Sequence, residues 1–179
     1  KYRSRLVCQE VRIIVIQKWF AATPPLECLK YFASKQRTGG RSRWAVMIFI
    51  DVVRAHWRAK ATRPLFINLP PEDAEEGKCG KLNFSMYGTK DAAYNWELEF
   101  TDFMLSICFV QGIHCPVIFV HSFQTLEVEV HGDDFTGLGD RAECHWFADR
   151  MRKRYEIKLR AVFGAGISDD KQVRISNRL

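Results

Sequence analysis

The 179-residue sequence contains no CxxC pair, no low-complexity stretch, no internal repeat and no apolar run long enough to cross a membrane. Each absence removes a class of protein. The six cysteines, at 8, 28, 79, 108, 115 and 144, match no zinc-ligand spacing. They read as scattered buried thiols, Cys108 and Cys115 beside His114 included. A membrane-spanning helix needs about 20 consecutive apolar residues, so no membrane partner is expected. No secretion signal is visible, and the protein is not expected to be secreted. The lack of biased composition argues against disorder. The chain opens at Lys1 without a methionine and stops after Ser176-Asn177-Arg178-Leu179, and it is expected to be a fragment of something longer.

Hydrophobic residues make up 47% of the chain, enough for one ordinary core or two small lobes sharing one. Lys and Arg number 27 against 21 Asp and Glu, a formal charge of +6 and a pI near 9.1. A basic balance raises the expectation of a polyanionic partner. The basic residues also cluster: Lys1, Arg3, Arg5 and Arg12 early, Arg37, Arg41 and Arg43 around Gly39-Gly40, and Arg150, Arg152, Lys153 and Arg154 late.

Periodicity and breakers give a coarse element order. Residues 5–16 are β-branched and extended in character. Thr23-Pro24-Pro25 is a helix start, predicting a helix through about Gln36. Residues 44–50 form a continuous apolar run of strand length, predicting a strand buried on both faces and ended by Asp51. Short strands are expected at 65–69, stopped by Pro70-Pro71, and at 81–86. A helix is expected from Asp91 to about Phe109, with Ala93, Trp96, Phe100, Phe103 and Ile107 on its apolar face. Strands at 117–123 and 126–130 lead into the turn His131-Gly132-Asp133-Asp134. A second helix follows over 141–155, then an alternating strand over 156–162. Hairpin strands beside helices predict an α+β fold, an antiparallel sheet with helices on one face.

The acids are the informative feature. Asp51 ends an apolar strand, and Asp133 and Asp134 sit side by side at a glycine-marked turn. Packing needs a carboxylate at neither place. An ionised acid at the end of a buried strand is costly unless a cation or donor satisfies it, and neighbouring acids repel. Divalent magnesium removes both penalties, because it takes a few carboxylate oxygens and keeps other positions for water and phosphate. Asp also favours turns for its own reasons, so the residues alone leave both a metal site and a plain turn open.

Six blocks, in order, resemble copia-type retrotransposon reverse transcriptases. Lys1 to Val7 resembles YKARLV, and Phe20 to Pro25 resembles FAPV before a helix. Asp51 to His56 resembles DVKTAF, and Phe66 to Pro71 resembles VYMEQPP. Ser85 to Lys90 resembles SLYGLK, with Trp96 where QAPRAW has its tryptophan. His131 to Asp134 resembles YVDD. The aromatics of DVKTAF and YVDD are His56 and His131 here, the valine of YVDD is Gly132, and the Gln and Arg of QAPRAW become Asp91 and Tyr94.

The resemblance implies a right-hand polymerase palm with fingers and no thumb: fingers about 1–43 and 57–90, palm about 44–56 and 91–160, and a stub toward the thumb over 161–179. It implies an RNA-directed DNA polymerase working by two-metal nucleotidyl transfer. Asp51, Asp133 and Asp134 would be both catalytic residues and ligands to two Mg2+ or Mn2+ ions. Arg3, Arg5, His56, Lys90 and Asp91 would lie at the nucleotide, with His56 under its sugar as a gate against the 2′-hydroxyl. The implied partners are an RNA or DNA template with primer, deoxynucleoside triphosphates, and RNase H and integrase domains of a parent polyprotein. The implied location is an intracellular particle or the nucleus. A catalytically inactive relic, or a domesticated nucleic-acid-binding module, is the alternative reading.

Overall fold

The computed structural model describes residues 7–10, 21–38 and 45–173. The predicted strand over 5–16 lies mostly outside them, and residues 7–10 carry no regular structure. The elements run α1 (Leu26–Arg37), β1 (Ala45–Val52), a 3-10 turn (Ala55–Arg58), β2 (Phe66–Ile67), β3 (Gly80–Lys81), α2 (Ala92–Ser106), β4 (Phe109–Gln111), β5 (Ile118–His121), β6 (Glu127–His131), β7 (Asp134–Asp140), α3 (Arg141–Arg154) and β8 (Ile157–Phe163). They form two compact units, one of Lys1–Ala21 with Arg54–Asp102 and the other of Ala22–Val53 with Phe103–Leu179.

The second unit is built on a six-stranded sheet in the order β4-β5-β6-β7-β1-β8, antiparallel throughout. The apolar run of β1 is buried on both faces, as its lack of alternation predicts. Met47 and Phe49 face α1, where Phe32 packs against them and against Leu138. Alternate residues point the other way. Ile48 meets Gly137 of β7 there, where a side-chain Cβ would stand 3.0 Å from its Cγ1, so any larger residue would press on the Ile48 side chain. Phe109 and His121 lie on that second face by register, and Phe147 and Trp146 of α3 meet them edge-on. Helices therefore cover both faces of the sheet. The expectation of one covered face overlooked that residues 44–50 need an apolar layer on each side.

Helix α2 is shorter than predicted. It stops at Ser106, and Cys108 takes a left-handed φ of 68° before β4 begins at Phe109. Its buried positions are Ala92, Asn95, Trp96, Phe100 and Met104, while Ala93 is exposed and Phe103 half-buried. Phe103 instead meets the Tyr155 ring edge-on at 5.3 Å. In α1 the N-cap is Pro25, with no side-chain cap, rather than Thr23.

In the first unit, β2 and β3 make a two-stranded hairpin and Ser85 N–H donates to Ala59 C=O. The same unit holds a partly buried polar network. Arg63 pairs with Asp91 at 3.0 Å and with Glu10 at 2.9 Å. Asn95 donates to Ser85 Oγ and to Asp91, and accepts from Thr62 Oγ1.

Candidate metal centre

The site is set by strand register in the sheet unit. Asp51 of β1 stands opposite Asp134 of β7, so both side chains leave the same face. His131 and Asp134 close the β6–β7 hairpin around a two-residue turn. Its first residue, Gly132, has φ 63°, a conformation glycine takes without strain and valine does not. Val52 N–H donates to Asp133 C=O at 2.9 Å, and Val53 N–H donates to Glu156 C=O at 2.8 Å. These bonds fasten the turn, and the start of β8, to the end of β1.

One carboxylate oxygen from each of Asp51, Asp133 and Asp134 lies within 4.8 Å of the others. All three residues are half-buried. Burial raises the Asp134 carboxyl above the usual carboxylate range, the Arg160 charge pulls it back, and the charges of Asp133 and Asp51 raise it again. Among the described residues this is the one cluster of three or more ligating side chains close enough to share an ion. The donor set is all oxygen and partly open to solvent, which fits magnesium or manganese, ions that keep water and phosphate among their ligands.

Arg160 was not anticipated from the sequence. Its guanidinium reaches Asp51 Oδ1 at 3.2 Å and Asp134 Oδ1 at 3.3 Å. The β1–β8 register explains how. Phe49 pairs with Ala161 and Ile50 with Leu159, which leaves Arg160 as the extra residue of a β-bulge. A bulge re-aims the side chain it carries. The alternation of 156–162 marked Arg160 as an outward residue of a strand, but nothing in that pattern marks a bulge.

The residues expected at the nucleotide belong to the first unit. Arg3 and Arg5 fall outside the described residues. His56 sits in the 3-10 turn of the first unit, its ring 4.3 Å from that of Tyr87. Lys90 is exposed, with its backbone N–H on Glu10. Asp91 is fully buried, its carboxylate bonded to Arg63 and Asn95. Burial alone would raise its pKa, but the hydrogen bond and charge of Arg63 outweigh that and hold it below the usual range. Its place beside SLYGLK gave no sign of this burial.

The model of one protein family, described as reverse transcriptase (RNA-dependent DNA polymerase), matches residues 1–168. No curated protein and no solved structure matches the chain significantly. No helix among the described residues is long and apolar enough to cross a membrane.

Proposed function

Because the chain belongs to the reverse transcriptase (RNA-dependent DNA polymerase) family, we propose that it extends a primer on an RNA or DNA template from deoxynucleoside triphosphates, as part of a copia-type polyprotein. One observation carries the reading, the convergence of Asp51, Asp133 and Asp134 within 4.8 Å. A trio of like charges destabilises a fold that gains nothing from it.

Bound at these carboxylates, a pair of Mg2+ or Mn2+ ions would activate the primer 3′-hydroxyl and neutralise the departing pyrophosphate. The chain's own work is positional. The β1–β7 ladder holds Asp51 and Asp134 at fixed separation, and the bond from Val52 to Asp133 holds the turn. Catalysis then rests on preorganised charge rather than on covalent chemistry. In this reading residues of about 44–56 and 91–160 are the palm and about 1–43 and 57–90 the fingers, and Arg3, Arg5, His56, Lys90 and Asp91 would serve the nucleotide. The thumb, RNase H and integrase would belong to the parent polyprotein, acting in an intracellular particle or the nucleus.

Primer extension with Mg2+ or Mn2+ tests this. Incorporation is expected from the wild type and not from Asp51→Asn or Asp133→Asn. Duplex binding without incorporation would identify the inactive nucleic-acid-binding alternative, and the absence of both would defeat either reading.

A further inference from the structure

Arg160 lies where a cation is needed and at a place the sheet makes specially for it. Its two Nη atoms span the gap between Asp51 Oδ1 and Asp134 Oδ1, at 3.2 and 3.3 Å. Asp51 and Asp134 are also two of the three residues that would hold a divalent ion. The guanidinium and the ion carry like charge and compete for the same lone pairs. The Arg160 side chain is 46% exposed, so it can swing into solvent on its long stem without opening the core. Lys158, the neighbouring exposed position of β8, pairs with Asp51 in register but makes no ion pair with the trio among the described residues.

Resting on the metal-site reading above, we infer that Arg160 is a resident counter-ion of the carboxylate trio, displaced when divalent metal enters and then free to grip a substrate phosphate. In the metal-free protein its single charge offsets the repulsion among the three acids, so the turn keeps its geometry without an ion. When metal arrives the carboxylates exchange one cation for another. The released guanidinium, planar and with paired donors, stays tethered to β8 beside the site and is suited to bidentate phosphate binding.

The test is Mn2+ binding by the purified chain, without nucleotide, followed by electron paramagnetic resonance and calorimetry. Arg160→Ala should bind Mn2+ about three- to thirtyfold more tightly than wild type, the range set by two partly exposed ion pairs. Arg160→Lys, which keeps the charge but cannot span two carboxylates, should fall between. A merely structural arginine would not raise metal affinity on removal. With Mn2+ saturating, Arg160→Ala should bind a deoxynucleoside triphosphate about tenfold more weakly; unchanged triphosphate affinity overturns the phosphate role. Equal Mn2+ affinity in all three proteins, abolished by Asp51→Asn, overturns the inference and leaves the metal site standing. No Mn2+ binding by any of them overturns the metal-site reading and this inference together.

Discussion

Asp51 and Asp134 face each other across adjacent antiparallel strands although they are more than eighty residues apart in the chain. Their closeness is fixed by backbone pairing, so it does not depend on an ion being present. Divalent metal should then bind the folded chain and not the unfolded one. Mn2+ at about a hundred times its dissociation constant should add roughly 2.7 kcal/mol of stability. A chelator should remove that gain, and Asp51→Asn should not show it. Urea denaturation with and without Mn2+ checks this; an equal metal effect in Asp51→Asn would place the ion elsewhere.

Glu129 supplies a pH dependence separate from the metal centre. It is 6% exposed, with Oε2 buried and no hydrogen-bond partner for it among the described residues. Burial pushes its carboxyl up to about 7. The folded pKa is above the unfolded one, so this stability is full below about 4.5 and is lost as pH rises through about 7. Glu129→Gln should flatten that loss and raise stability at pH 8 by up to roughly 3 kcal/mol. Chemical denaturation from pH 5 to 8 reads it, and parallel wild-type and variant curves would contradict it.

Phe100 and Phe103 should separate in their energetics. Phe100 is 3% exposed, whereas Phe103 is half-buried. Phe100→Ala should cost about 3–5 kcal/mol, the usual loss for a buried ring. Phe103→Ala should cost clearly less. Equal midpoint shifts in urea would be inconsistent with this burial.

Gly132 should resist a side chain. Its φ of 63° is left-handed, although open space surrounds its Cβ position. Gly132→Val should therefore destabilise by about 1–2 kcal/mol through backbone strain alone. Gly132→Asn should cost less, since asparagine tolerates that region. Thermal melts of both variants decide it, and a valine variant as stable as wild type would show a different turn.

His56 carries the prediction about sugar selection. If it lies beneath the nucleotide sugar, His56→Phe should sharpen discrimination against ribonucleotides, because imidazole can donate a hydrogen bond to a 2′-hydroxyl. His56→Ala should relax discrimination. Incorporation ratios measured on an active parent protein test it, and one common ratio for all three would remove His56 from the gate.

Much of the site was legible because its signals are local. The run before Asp51 is too apolar to be an exposed strand, and Gly132 marks the turn that carries Asp133 and Asp134. The breadth of helix cover was implied by the same run but not drawn from it. What stayed hidden depends on pairing between distant segments. Arg160 reaches the acids only through a bulge defined by its partner strand. Asp91 is fully buried and bonded to Arg63, nearly thirty residues earlier. Met104 takes the place of Phe103 in the buried stripe because Ala92, Trp96, Phe100 and Met104 follow a constant four-residue step, whereas the expected stripe alternated steps of three and four.

The place of β1 between β7 and β8 has a consequence for how the chain is made. Both of its neighbours, β7 and β8, come from about 80 to 110 residues downstream. At ordinary synthesis rates, roughly 5–20 s pass between the emergence of β1 and that of the strands that pair with it. For that interval the ribosome displays AVMIFI, six uncharged residues of high strand propensity with both edges open. A stalled or truncated product ending before β7 would keep that segment permanently unpaired. Such products should be the insoluble fraction in expression, and a chaperone that shields extended apolar segments should raise the yield of the full chain.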